Sequence, residues 1–203
     1  MTEKTNPITP LQYEIEKKIG IPKGSLTQSR LQEWQLEKLN ETLAFIRKNS
    51  PFYREKFIGL PDKISSLEEL QRFPFTTADD IATDNMRMIC VPQDQIARII
   101  TLDTSGTTGK SKRLFFTKED QQLTINFFGI GQTTLVKPGY HELILLPGTT
   151  PGSVGDLLQK GLQQEGVTGI PCGPFTDPHS ILNRIEKEKI DNLCGAPKQI
   201  LTL

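Results

Sequence analysis

Apolar residues follow a helical period in the first third of the chain and fall into short runs in the last. In SRLQEWQLEKLNETLAFIRKNSP, Leu36, Leu39, Leu43 and Ile46 recur at spacings of three and four, on one face of a helix. Ser29 and Gln32 match a capping-box start, and Pro51 stops the pattern near Ser50. Shorter helical patterns follow in SSLEELQRF and TTADDIATD, with PFTT between them as a turn leading into a cap. Trp34, Phe45, Phe52, Tyr53 and Phe57 read as packing side chains.

From residue 141 the pattern changes. ELILLP is an apolar strand-like run. SVGDLLQKGLQQEG pairs Ser153 with Asp156 as a cap and carries a stripe of Val154, Leu157, Leu158 and Leu162. VTGIP is a short strand. DPHSILNRIEKEK opens with an Asp cap and a first-turn proline and presents Ile181, Leu182 and Ile185 on one face. IDNLCG is a third strand, and APKQILTL starts another helix. This alternation predicts an α/β fold: a helical region over 1–85, then over 86–203 a mostly parallel sheet with flanking helices joined by right-handed crossovers. Ligands in such sheets bind beyond the strand carboxyl ends. Those ends carry PGTTPGS, PCGPF and GAPK, and the first could be an anion-binding loop opening a helix or a plain Gly-Pro connection.

Between the two regions lies TSGTTGKSK, residues 104–112, flanked by the strand patterns QIARIITL and SKRLFFT. Gly109, Lys110 and Ser111 fit the end of a P-loop, but its first glycine would fall on Thr104, and a strand follows where a P-loop needs a helix. Gly106 and Gly109 let a backbone approach an anion. Thr104, Ser105, Thr107 and Thr108 supply hydroxyls, and Lys110, Lys112 and Arg113 supply charge. By composition alone the segment could equally be a solvated polar hairpin.

Net charge narrows the partners. The chain has 203 residues with 24 basic and 24 acidic side chains and no long block of either sign, which argues against a nucleic acid or an anionic membrane. Cys90, Cys172 and Cys194 are widely spaced and odd in number, so neither a disulfide framework nor a four-cysteine zinc site can be drawn, and a reducing cytoplasm is expected. The amino terminus is polar and no apolar run approaches the roughly 18 residues of a membrane span. His141 and His179, the two histidines, suit surface or capping roles and no metal site. Cys172 and Cys194 near strand ends read as small hydrophobes.

The order TSGTTGKSK resembles the phosphate-binding signature of the adenylate-forming (AMP-dependent synthetase/ligase) superfamily, with Ser111 where proline is usual and Arg113 where glycine is common. Its flanks, LEKLNETLAFIRKNSPFYREKF, ISSLEELQRFPFTTADDI and FFTKEDQQ, are similar to the phenylacetate-CoA ligase branch, and all 203 residues can be laid along the amino-terminal part of such an enzyme. The resemblance implies that Thr104, Ser105, Gly106, Thr107, Thr108, Gly109 and Lys110 bind the phosphates of ATP with Mg²⁺, while a carboxylic acid attacks the α-phosphate. A thiol, with CoA as candidate acceptor, then takes the acyl group. Gly195, Ala196 and Pro197 would border the acyl pocket, or form a plain strand-to-helix turn.

The family also needs an aromatic-Gly-x-Thr-Glu stretch, an Asp for the ribose and a lysine from a small carboxy-terminal domain, which the resemblance places after Leu203. The chain is therefore expected to be an incomplete N-terminal adenylation domain, partnered by the missing carboxy-terminal half and with little activity alone. Two alternatives stay open: a nucleotide-binding or regulatory module without catalysis, and a structural remnant that self-associates. A homodimer is plausible under all three.

Overall fold

The computed structural model describes residues 9–102 and 111–203. It divides into two compact units, Gln12–Lys118 and Thr9–Leu11 with Glu119–Leu203.

The first unit begins with α1 (Gln12–Ile19) and the 22-residue α2 (Gln28–Asn49). Thr27, not Ser29, caps α2: its side chain accepts from the Arg30 amide, while the Ser29 hydroxyl donates to Glu33. Pro51 ends α2 as expected, and it also starts α3 (Pro51–Lys56). Ser50, wholly buried, joins the two helices; its hydroxyl accepts from the Tyr53 amide and donates to the Arg87 carbonyl. Leu43 packs with Phe57, Ile64 and Phe73, with Leu36, Leu39, Ile46 and Tyr53 around them. Phe57 and Phe73 meet edge to face at 5.1 Å. Phe45, expected inside, is half exposed. The Arg47 guanidinium donates to the carbonyls of Phe57, Leu60 and Pro61, pinning the turn after α3 against α2. SSLEELQRF is a 3₁₀ helix, Leu67–Arg72, and α4 (Ala78–Asp84) carries the full Thr77/Asp80 capping box. The strands β1 (Ile96–Leu102) and β2 (Lys112–Thr117) form an antiparallel pair.

Glu16 on α1 is buried to 1% exposure, a costly place for a charge. The turn after the helix wraps its carboxylate: Gly24 and Leu26 donate their amides at 2.9 Å each, and Gln12 its carboxamide at 2.8 Å. Gly24, at φ +80°, adopts the left-handed conformation this wrapping requires.

The second unit holds a three-stranded parallel sheet in the order β4 (Thr168–Pro171), β3 (His141–Ile144), β5 (Asn192–Cys194). β3 pairs in register with both neighbours, Leu143 opposite Ile170 and Leu193. Helix α6 (Val154–Gln164) covers one face, where Leu158 and Leu162 pack with Ile144, Val136 and Val167. Helix α7 (Pro178–Glu188), capped by Asp177, covers the other, where Ile181 packs with Leu143 and Leu145. Val154 and Leu182, assigned to apolar faces, are about half exposed. A four-residue helix, α8 (Pro197–Ile200), follows β5.

Sequence patterning leaves α5 (Lys118–Gln132) unassigned. Its buried positions are Ile125 and Gly129, and Gly129 lies directly on Gly161 of α6. A Cβ built on Gly129 would stand 2.6 Å from the Gly161 carbonyl oxygen; one on Gly161 would stand 2.6 Å from the Ile125 oxygen. The two backbones therefore touch. Among the described residues no helix is long and apolar enough to cross a membrane.

At such a contact even a methyl group is costly. Gly129→Ala and Gly161→Ala are each expected to destabilise the protein by about 1–3 kcal/mol through overpacking. Gly131→Ala in the same helix, with nothing within 4 Å of its Cβ, is expected to stabilise by a few tenths to about 1 kcal/mol. Urea midpoints of the three variants check the contrast. Burial alone would raise the Glu16 pKa, but the amides of Gly24 and Leu26 and the Gln12 side chain outweigh it and hold the group below its ordinary 4.5. Its contribution to stability is thus present above pH 4.5 and lost as pH falls through the depressed folded value. Thermal unfolding midpoints should fall in acid more steeply for the natural protein than for Glu16→Gln.

Candidate functional site

The hairpin of the first unit frames the segment that sequence reasoning selects. Leu102 stands opposite Lys112 and Thr101 opposite Arg113, so the chain leaves β1 and re-enters β2 at paired positions. Thr104, Ser105, Gly106, Thr107, Thr108, Gly109 and Lys110 lie outside the described residues. Their setting is a strand on each side, antiparallel, with the exposed Arg113 next to the re-entry point. A P-loop would run from a strand into a helix, whereas the element after residue 110 is the strand β2.

In the second unit, the chain leaves β3 through α6 to reach β4 on one side, then returns through α7 to β5 on the other. Reversal of direction beside a central strand makes a switch point, where a crevice opens beyond the carboxyl ends of the strands. Because the three strands are parallel, the segments 147–153, 171–175 and 195–198 all leave the sheet at that edge.

The first of these segments closes on itself. The Gly155 amide donates to the Pro147 carbonyl at 2.8 Å, and a Cβ on Gly155 would stand 2.8 Å from the Gly148 Cα, so the two glycines form a clasp at the base. Gly152, at φ +72°, donates its amide to the Asp156 carboxylate at 2.6 Å, and Lys160 pairs with that carboxylate at 2.7 Å. Thr149 and Thr150 are exposed. Ser153 holds the N-cap position of α6, yet its hydroxyl caps no amide, so the reciprocal Ser153/Asp156 box is not formed. The repeated Pro-Gly of PGTTPGS is the one sequence signal for this clasp.

After β4, the amides of Cys172 and Gly173 both donate to the Ile144 carbonyl, at 2.8 and 3.1 Å. After β5, Gly195 packs so tightly against β3 that an added Cβ would meet the Leu145 Cβ at 2.8 Å. Ala196 then takes the N-cap position of α8 and Pro197 its first turn. Gly195, Ala196 and Pro197 thus sit beside the end of β3, on the edge that also carries the 147–153 loop.

Cys90 and Cys194 are not set up as nucleophiles. Burial pushes the Cys90 thiol up; burial, and then Glu142 when ionised, push up that of Cys194, against a hydrogen bond from Gln132. Cys194 and Cys172 pack against opposite clusters of the sheet. His141 starts β3, at the end away from the crevice, with Nδ1 3.2 Å from the Glu188 carbonyl oxygen. His179 donates its amide to the cap Asp177. Among the described residues no cluster of three His, Cys, Asp or Glu could hold a metal ion. A groove of about 700 Å³ between α2 and residues 63–65 is lined by Glu33, Glu37 and Glu41, which disfavours an anion there.

No family model matches the chain. It is 32% identical over 115 residues to a phenylacetate-coenzyme A ligase of Pseudomonas putida, covering 54% of this chain and 26% of that protein. A phenylacetate-coenzyme A ligase of Thermus thermophilus is 29% identical over 168 residues, covering 78% of this chain and 36% of that one. The chain thus spans about a quarter to a third of these relatives' length. Among solved structures, an open conformation of 2-hydroxyisobutyryl-CoA ligase with its acyl-AMP and CoA superposes at TM-score 0.72, with 16% identity over 87% of this chain and 40% of that one. The thioesterification state of the same ligase gives 0.71 at 20% identity, over 85% and 38%. The chain has the fold of the N-terminal portion of an adenylate-forming ligase, and its sequence resembles the phenylacetate-CoA ligase branch of that superfamily.

Proposed function

We propose that this chain is the nucleotide-handling portion of an ATP-dependent acyl- or aryl-CoA ligase. The observation that carries the reading is the order Thr104-Ser105-Gly106-Thr107-Thr108-Gly109-Lys110 between two strands paired at Leu102 and Lys112. Hydroxyls, backbone amides and one lysine are the groups that bind and neutralise a triphosphate. Mg²⁺ belongs with the phosphates and their waters, since it keeps most of its coordination from them.

The reaction is adenylation: a carboxylate oxygen attacks the α-phosphorus, a P–O bond breaks and pyrophosphate leaves. Transfer of the acyl group to a thiol such as that of CoA releases AMP. The work of the chain is to position the phosphates, through Thr104 to Lys110, and to border the acid, through Gly195, Ala196 and Pro197 beside the 147–153 loop. Gly195 suits the second task because its lack of a side chain lets β5 end directly against Leu145. Turnover requires groups that these residues do not include, so the chain by itself binds nucleotide and catalyses little.

Calorimetric titration with MgATP tests the reading. The natural chain is expected to bind saturably, and a Thr108→Ala, Lys110→Ala double variant to lose tenfold or more in affinity, at about 1.5–3 kcal/mol for each charge-assisted hydrogen bond removed. A folded natural sample that takes up no MgATP would overturn autonomous binding, and leave a structural, self-associating role for the chain.

A further inference from the structure

The central strand of the second unit carries an acid that the proposed reaction does not use. Glu142 lies on β3 between Gly169 of β4 and Asn192 of β5, with no exposed surface. Its Oε2 accepts from the Asn192 carboxamide at 2.7 Å, which ties β3 to β5 through side chains. Its Oε1 is buried with no partner, and so is the Oε1 of Gln132 on α5. Gln132 Nε2 lies 3.7 Å from the sulfur of Cys194, one residue before Gly195. Two buried acceptors thus lack donors, and among the described residues no Lys, Arg or His hydrogen-bonds or ion-pairs with Glu142.

We propose that Glu142 is an uncharged carboxylic acid at neutral pH, and that its ionisation at higher pH is a release for the β3–β5 pairing that holds the Gly195–Pro197 segment. A buried carboxylate with one neutral donor keeps most of its desolvation cost, and the group relieves it by retaining its proton. That proton also supplies a donor to a site that has too few. Burial raises the pKa of the acid, and the Asn192 hydrogen bond only partly opposes it. The surrounding groups do not reverse this. β5 presents Cys194, whose thiol Glu142 itself pushes up; α5 presents the neutral Gln132; Tyr140 packs beside the apolar residues of α6, Leu158 and Leu162. Asp191 accepts from the His141 amide. The device stands apart from the adenylation reading; only its bearing on acid binding rests on it.

The sign comes from the raised pKa. Stability from this site is complete below the ordinary value of 4.5 and falls as pH rises toward the folded value. Two measurements on the whole 203-residue chain test it. With ¹³C-carboxyl-labelled glutamate, one resonance should keep its protonated shift at neutral pH and be absent from Glu142→Gln. Glu16, the other buried glutamate among the described residues, shifts in the opposite direction and cannot be mistaken for it. Amide exchange at Leu145, which donates to the Cys194 carbonyl at 2.7 Å, reads the pairing directly. After correction for intrinsic exchange, its opening constant should rise by up to about tenfold per pH unit above 4.5 in the natural protein. It should stay flat in Glu142→Gln. If no glutamate keeps its protonated shift at neutral pH, or if Leu145 opens with the same pH dependence in both proteins, the proposal is overturned. The carboxyl measurement decides even if the variant does not fold.

Discussion

Burial of β3 on both faces is the constraint from which the second unit is built. Leu143, Ile144 and Leu145 have no exposed surface. A strand that must be dry on both sides needs a helix on each, and parallel neighbours reached by crossovers supply them. α6 and α7 occupy opposite faces for that reason, and the carboxyl ends of β3, β4 and β5 come out along one edge. The position of Gly195, Ala196 and Pro197 beside the 147–153 loop is a consequence of this layering. No attraction between the two segments is required to place them there.

The same constraint explains why an acid within β3 is informative. Most buried side chains in the unit are aliphatic and indifferent to pH, whereas Glu142 couples the centre of the sheet to proton concentration. Glu16 in the first unit is the opposite solution to the same problem. There the backbone folds round the carboxylate and keeps it charged; around Glu142 one amide side chain does not suffice. Two buried glutamates in one chain thus move in opposite directions, and the number of backbone amides offered to each decides which.

Much of this architecture is legible in the sequence, for a reason that also marks the limits. Leu36, Leu39, Leu43 and Ile46 announce α2 because three- and four-residue spacing survives any detail of packing. ELIL, VTGIP and IDNLC announce parallel strands because strands covered on both faces read as short apolar runs. The start of α2 is harder to place because Thr27, Ser29 and Gln32 all carry capping chemistry, and only backbone geometry chooses Thr27. α5 escapes because its contact with α6 is made by glycine, which patterning reads as a breaker, while Leu123 and Phe127 face outward. Glu142 escapes because a carboxylate beside apolar residues reads as the solvated end of a strand. The segment TSGTTGKSK, proposed to bind phosphate, is selected by residue order alone, and the antiparallel strands on its flanks accord with their sequence patterns.

The contact between Gly129 and Gly161 bears on how such a chain can change over time. Each position is closed to other residues by the backbone of the opposite helix, so altering one cannot be rescued by altering the other; both would have to await a shift of a whole helix. Neighbouring Gly131, in open space, carries no such restriction. Sequence drift in this unit should therefore run freely along the outer faces of α5 and α6 while circling a fixed pair, and two distant relatives could share these glycines and little else of either helix.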